Sequence, residues 1–424
     1  VYGAPRFHLA CRRVGVRPLL GAEATLEDGA RLPLLAAGAA GDQNLCRLLS
    51  RMHLRAPAAG AGKLFYNELA ELGDCLALSG DEQGPLAAAL TAGGMAAGRQ
   101  RLEQLAALFP GRFYVELQRH FLREQAERNH AAVGLARTLH LPLVASNGVR
   151  YATPAQRTVL DVFTCLRHHT TLDAAGRRLT PNAQRFLTAA PVMARRFQDL
   201  PEALAAGGEI AARCAFSLDD LGYQFPQPPV PAGHTANSWL RQLTYAGARR
   251  RYRPLGERAR RQLEHELTVI AKLDLAGYFL VLDDIMDYCR RHRILAQGPG
   301  SAANSAVCYS LGITAVDPIG MELLFERFLS EERGEWPDID LDLPSGELRE
   351  QVIQHVYARY GGQAPAESAP ASAPGGAAAM TANVITYRPR SAAREVAKVL
   401  DFPPALGARL ARVLSAAGPP DRKS

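Results

Sequence analysis

The period of the apolar positions changes along the chain, and the changes divide it. Up to about residue 155, short apolar runs with a period near two alternate with stretches of helical period. Residues 16–20, 75–78, 112–117 and 143–146 read as strands, and 44–52, 98–108 and 123–140 as helices. Such alternation predicts α/β layers or a barrel, because each helix buries its apolar stripe against a sheet. From about 155 to 215 the pattern is helical, with helix starts predicted at Thr180-Pro181 and Leu200-Pro201. The prolines of 224–231 (QFPQPPVP) suit neither a helix nor a central strand, so they predict a linker and a domain boundary.

Beyond that linker, 238–251 and 256–273 are amphipathic helices carrying Arg249, Arg250, Arg251, Arg253, Arg258, Arg260 and Arg261. Two readings are open: a solvated helix face, or a surface that follows a phosphate backbone. Gly277-Tyr278-Phe279 interrupts the pattern before a helix at 280–291. The segment 364–379 (APAESAPASAPGGAAA) has nothing to bury and predicts a flexible insertion, followed by a helix-rich end from about Ser391.

Composition narrows the class. The 424 residues are 47% hydrophobic and 21% charged, an ordinary globular balance that excludes a disordered or fibrous chain. At ~150 residues per domain the length suggests about two to three domains. No uncharged apolar run approaches the ~20 residues of a membrane helix, and the stretch after Val1 has no leader pattern, so no membrane and a cytoplasmic location are expected. A start at Val1 suggests a chain cut from something larger. The 7 cysteines include no C-x-x-C pair, which disfavours a disulfide scaffold or zinc ribbon and fits a reducing compartment. Lys+Arg is 49 against 42 Asp+Glu, a net +7. Lysine occurs only at Lys63, Lys272, Lys398 and Lys423, so the excess is arginine, which GC-rich codons explain and which also permits bidentate phosphate contacts.

Chemistry concentrates between Gly298 and Asp342. A short strand predicted at 294–297 leads into Gly298-Pro299-Gly300-Ser301 and a helical run through Leu311 that Gly312 stops. A glycine loop opening a helix presents backbone N–H groups and a positive dipole end to phosphate, with the Ser301 hydroxyl as a further donor; Ser301 as a simple helix cap is the alternative. The spacing matches neither the P-loop nor the dinucleotide fingerprint. Trp336-Pro337-Asp338-Ile339-Asp340-Leu341-Asp342-Leu343 alternates with period two, so Ile339, Leu341 and Leu343 share one face and the three aspartates the other. That face is either a solvated, aggregation-blocking edge or a site for two divalent cations, with hard oxygens suited to Mg²⁺ or Mn²⁺. Between the two segments Arg327 and Arg333 could neutralise a triphosphate or pair with Glu326 or Glu331.

Taken together, GYFLVLDDIMDYCRRHRI, QGPGSAANSAVCYSLGITAVDP, LLFERFLSEER and PDIDLD, spanning 278–360, resemble the bacterial class C DNA polymerases, the DNA polymerase III alpha subunits. AANSAVCYSLGITAVDP and VITYRPRSAAREVAKVL are most similar to the error-prone, damage-inducible branch. The resemblance implies a palm of the DNA polymerase beta-like nucleotidyltransferase type that adds dNTPs to a primer 3′ end with two Mg²⁺ (or Mn²⁺) ions. It implies Gly300 and Ser301 as the triphosphate-binding pair, assisted by Arg327 and Arg333, and Asp338 and Asp340 as catalytic, metal-holding aspartates. Primer-template DNA, a sliding clamp and mutagenesis accessory proteins are the implied partners, in DNA repair and translesion synthesis.

The amino-terminal part resembles the polymerase-and-histidinol-phosphatase (PHP) domain of that family, through Leu20-Gly21-Ala22-Glu23 and Val115–His120. The implied fold is α/β: a PHP-type distorted β/α barrel remnant with helical extension over 1–222, the first part of a palm over 223–362, and the low-complexity insertion with a partial helical thumb over 363–424. Glu23 and His120 would belong to a degenerate PHP site; a charged strand end and a core histidine are the alternatives. Arg150 stands where active relatives carry histidine, and the opening histidine-rich motif is missing. Pro299 replaces the arginine that the family places before Gly-Ser. The third catalytic aspartate of the family falls on a later strand, so the 424 residues alone are expected to lack turnover. The competing expectation is a non-catalytic DNA- or partner-binding remnant.

Overall fold

A computed structural model of the chain describes residues 3–58, 60–219, 228–329, 337–361, 378–380 and 386–416. Two compact units emerge, one of 1–221 with 383–424 and one of 222–382.

In the first unit α1 (Ala4–Arg13) precedes a hairpin of β1 (Gly21–Thr25) and β2 (Arg31–Ala36). Asp28-Gly29 makes its turn, the Ala30 N–H donating to Asp28 Oδ1 at 3.0 Å. Helices and strands then alternate: α2 (Ala39–Leu54), β3 (Cys75–Leu78), α3 (Pro85–Leu108), β4 (Phe113–Gln118), α4 (Arg123–Thr138) and β5 (Leu143–Ser146). The strands form one sheet in the order β1-β2-β3-β4-β5, antiparallel through β3 and parallel from β3 to β5. Period two in β4 sorts its side chains to opposite faces. Val115 and Leu117 join Leu45 and Leu48 of α2 and Leu102 and Leu105 of α3. Tyr114 joins Val144 of β5. The helical extension is α5 (Arg157–Arg167), α6 (Ala190–Arg196) and α7 (Pro201–Arg213); Ala206 and Ile210 of α7 cover the Tyr114 face.

In the first unit two local expectations fail for identifiable reasons. Residues 16–20 are not a strand: Pro18 has no ladder donor, and pairing starts at Gly21. The pattern also hides β2, because Pro33 interrupts it, although Pro33 sits in the ladder opposite Glu23. Thr180-Pro181 starts no helix. There Asn182 closes an Asx turn, accepting from the Gln184 N–H at 3.1 Å, and its amide donates to the His120 carbonyl at 2.7 Å.

The second unit is helical: α8 (Ala236–Arg251), α9 (Glu257–Lys272), α10 (Ala276–Arg291), α11 (Ala306–Leu311) and α12 (Glu347–Tyr360). A capping box starts α8, Thr235 Oγ1 accepting from the Ser238 N–H at 3.2 Å while Ser238 Oγ accepts from the Thr235 N–H at 2.9 Å. Gly277-Tyr278-Phe279 does not break the pattern but forms the first turn of α10, with Gly277 and Phe279 buried. The core gathers Leu263, Ile270, Phe279, Val307, Ile313 and Phe325. Helices α8 and α11 cross closely at Gly247, where a Cβ would lie 1.9 Å from the Ser310 carbonyl oxygen. The expected strand at 294–297 and the aspartate segment meet, among the described residues, through one antiparallel bridge, Gln297–Asp342.

The low-complexity segment lies mostly outside the described residues. After it, α13 (Pro389–Val399) and α14 (Pro404–Ala416) pack as a hairpin on the first unit. Val399 sits with Cys165 and Ala175, and its carbonyl accepts from the Leu172 N–H at 2.8 Å.

Candidate functional site

The glycine loop of the second unit is a tight turn rather than the start of one long helix. Gly300 takes φ +62°, open to glycine, and a 3₁₀ turn runs Gly300–Asn304. Ser305 is extended and breaks the run before α11, its Oγ accepting from the Cys308 N–H at 3.1 Å. Below this break lies Glu266 of α9, fully buried. Its carboxylate accepts from Ser305 Oγ at 2.7 Å, the Ala306 N–H at 2.9 Å, the Val307 N–H at 3.0 Å and Gln262 Nε2 at 2.9 Å. Burial pushes the Glu266 carboxyl above its ordinary range, although these four donors pull the other way.

The aspartate segment runs beside the turn. Ser301 Oγ donates to the Asp338 carbonyl at 2.9 Å, and the Ile339 N–H donates to the Tyr278 hydroxyl at 2.9 Å. Asp342 exchanges two backbone bonds with Gln297, at 2.8 and 3.2 Å. Burial alternates as period two predicts: Ile339, Leu341 and Leu343 are half-buried, and Asp338, Asp340 and Asp342 are exposed. Phe325–Arg327 forms a 3₁₀ turn that adjoins the Gly300–Asn304 turn, with Phe325 buried and Arg327 exposed. The structure thus brings Gly300, Ser301, Asp338 and the turn bearing Arg327 together, with Asp340 on the Asp338 face. Arg333 lies outside the described residues. Among the described residues no three His, Cys, Asp or Glu side chains group as a metal-binding cluster. Sequence reasoning missed Glu266; the available signal was an acid at i+3 within the apolar stripe Leu263, Leu267, Ile270 of α9.

In the first unit the carboxyl end of β4 carries Glu116 and Gln118, and Asp81 and Glu82 follow β3. A guanidinium fills their midst. Arg185, 9% exposed, pairs with Asp81 at 3.1 Å and Glu82 at 2.5 Å and donates to Gln118 Oε1 at 3.3 Å. Arg150 adds a second contact to Asp81 at 3.4 Å. Burial pushes the Asp81 carboxyl up, but the Gln83 N–H and these two arginines outweigh it and hold it below the usual range. Glu116 is raised, by burial first and further by the charges of Asp81 and Glu23. Glu23 is half-exposed on β1 with Arg31 at 3.6 Å. His120 is buried with both ring nitrogens engaged, Nε2 with the Asn147 carbonyl at 3.0 Å and Nδ1 with the Gln125 amide at 3.1 Å. Burial lowers its pKa, consistent with a neutral ring donating from Nε2 and accepting at Nδ1. Arg185 and Asp81 were not singled out from the sequence, since no spacing links positions this far apart; Glu116 lay within the Val115–His120 motif but was given no role of its own.

Comparison with known proteins places both regions. Residues 1–120 match the family model of the PHP domain, and 238–421 that of the bacterial DNA polymerase III alpha NTPase domain. The chain is 43% identical over 419 residues to a protein of Mycobacterium tuberculosis named error-prone DNA polymerase, covering 95% of this chain and 37% of that protein. A protein of the same name from Pseudomonas fluorescens is 42% identical over 408 residues, covering 95% of this chain and 36% of that protein. The chain therefore spans little more than a third of the relatives it matches. Over that span a segment matching the PHP domain model is followed by one matching the bacterial DNA polymerase III alpha NTPase domain model.

Proposed function

We propose that the second unit carries part of the nucleotide-transfer site of an error-prone, translesion-type DNA-directed DNA polymerase, which extends a primer 3′ end with dNTPs. The observation behind this is the Ser301–Asp338 bond, which ties a glycine-serine phosphate loop to an aspartate face. Among the described residues, and apart from its own chain neighbours, nothing lies within 4 Å of where a Gly300 Cβ would stand, which leaves room for a phosphate to approach the backbone there. Ser301 positions the aspartate segment, and Arg327 supplies positive charge beside the turn, suited to a triphosphate. Asp338 and Asp340, exposed hard-oxygen ligands on one face, fit Mg²⁺ (or Mn²⁺) and would hold it. Bound there, the metal would neutralise charge on the transferring phosphoryl group. Glu266 keeps the turn and α11 in place from beneath.

In the same proposal, 1–222 is a PHP domain with helical extension, 223–362 the first part of a palm, and 363–424 an insertion with part of a thumb. Glu23 and His120 would be relics of a PHP metal site whose cation Arg185 replaces. A cytoplasmic setting, primer-template DNA, a sliding clamp and mutagenesis accessory proteins complete it. A second reading, a non-catalytic DNA- or partner-binding remnant, is favoured by Pro299, which contributes neither charge nor a backbone donor at the loop.

Primer extension by the product of the open reading frame containing these residues separates the two. Asp338→Asn is expected to abolish extension, and extension unchanged by it overturns the site assignment. The 424 residues alone are expected to bind DNA weakly, less so as salt rises, and to incorporate nothing. Incorporation by them would refute that.

A further inference from the structure

A cavity of about 600 Å³ opens on the first unit between one face of α4 and the α6–α7 junction. That volume falls in the range of small-molecule sites. Its residues, 119–200, lie almost wholly between the two segments that the family models match. Leu122, Ala126, Val133 and Leu200 make an apolar floor, and Arg119, His130, Arg137 and Arg196 stand around it.

Three independent features point to an anionic, aromatic ligand. Phe121 is 75% exposed at the cavity wall and holds φ +62°, a left-handed backbone that a bulky residue rarely adopts. The Arg196 guanidinium lies 5.2 Å from its ring centroid. Arg196 itself is a half-buried cation whose hydrogen bonds all go to neutral oxygens: Asn147 Oδ1 at 2.8 Å, Gln184 Oε1 at 2.6 Å and the Arg119 carbonyl at 3.3 Å. Its Nε is buried without a partner, and among the described residues no carboxylate pairs with it. Burial accordingly lowers its pKa. A charge withdrawn from water is ordinarily matched by a counter-charge, and none of the described residues supplies one. Arg119 is spoken for by Asp199 at 2.6 and 2.8 Å, and Arg137 reaches Glu202 only at 3.8 Å. Finally, the first turn of α4 borders the cavity, and Leu122 at its start offers no side-chain cap, so the helix presents its positive end there.

We propose that this cavity binds a nucleoside phosphate, the base stacking on Phe121 and the phosphate serving as the counter-charge for Arg196 and Arg137. The ligand could be a free mononucleotide or the phosphorylated end of a single strand; the recognised chemistry is the same. The site is remote in sequence from the Gly300–Asp342 segment, and its test does not depend on polymerase activity.

Equilibrium dialysis of the 424-residue chain against dAMP, deoxyadenosine and deoxyribose 5-phosphate tests it. Saturable dAMP binding is expected, with each half-ligand at least about tenfold weaker. Phe121→Ala and Arg137→Ala, both exposed positions, should each weaken dAMP about tenfold, as loss of one stacking or one charged contact does. Asp338→Asn should leave it unchanged. No saturable dAMP binding, equal binding of deoxyribose 5-phosphate, or dAMP binding indifferent to both substitutions would overturn the proposal. A 5′-phosphorylated deoxyadenylate dodecamer binding tighter than its unphosphorylated form and than dAMP supports a strand end as the source; dAMP binding tighter supports the free nucleotide.

Discussion

Replacing Glu266 by alanine removes the acceptor beneath the phosphate loop without touching any residue on the loop's open side. Three buried donors lose their partner: the Ser305 hydroxyl at 2.7 Å, the Ala306 N–H at 2.9 Å and the Val307 N–H at 3.0 Å. At about 1–3 kcal/mol for each unsatisfied donor, less the relief of no longer burying a carboxylate, the expected loss is about 3–5 kcal/mol. Both tryptophans, Trp239 and Trp336, belong to the second unit, so their emission in a urea titration reads that unit alone. With a urea slope of about 2 kcal/mol/M, the midpoint should fall by about 2 M. The pH dependence supplies a second check. Burial raises the folded carboxyl above its ordinary 4.5, so the folded unit keeps this proton where the unfolded chain has lost it. The stabilisation linked to it is complete below the unfolded value and disappears as pH rises through the folded one. The stability gap between the wild type and Glu266→Gln should therefore narrow as pH rises from about 4.5. A midpoint shift under about 0.5 M for Glu266→Ala, or a gap that widens with pH, would refute the assigned role.

Two further substitutions probe the packing of each unit. Gly247→Ala places a Cβ against the Ser310 carbonyl, backbone that cannot rotate away, and should destabilise the second unit by at least about 1–3 kcal/mol in the same urea assay. Arg185→Gln strips Asp81 and Glu82 of their guanidinium with Asp81 only 6% exposed, and should cost the first unit about 3–5 kcal/mol. That loss is expected in circular-dichroism melting while tryptophan emission stays unchanged; adding Asp81→Asn should recover part of it.

Long periodic elements were legible because periodicity reports burial directly: 123–140 against Arg123–Thr138, and 256–273 against Glu257–Lys272. Elements that pair with distant partners were not. β2 carries a proline that local rules exclude from a central strand, and only its neighbours on both sides show that it belongs to the sheet. The aspartate alternation was readable, because exposure follows period two even where, among the described residues, just one bridge forms. The support under the site was not readable. Nothing local says that Glu266, 39 residues before Ser305, is its partner. Arg185 is equally silent: its 104-residue separation from Asp81 leaves no motif, and a buried guanidinium shows in sequence as one arginine among many.

The first unit is assembled from residues on both sides of the second, since 383–424 join 1–221. In covalent terms the second unit is an excursion with two tethers. A single protease cut in either tether would still leave the second unit covalently joined to one part of the first; two cuts are needed to free it. Truncation after 221 cannot isolate the outer unit either, because it discards the α13 residue Val399 that covers Cys165 and Ala175. A faithful separation would instead excise 222–382 and join what remains.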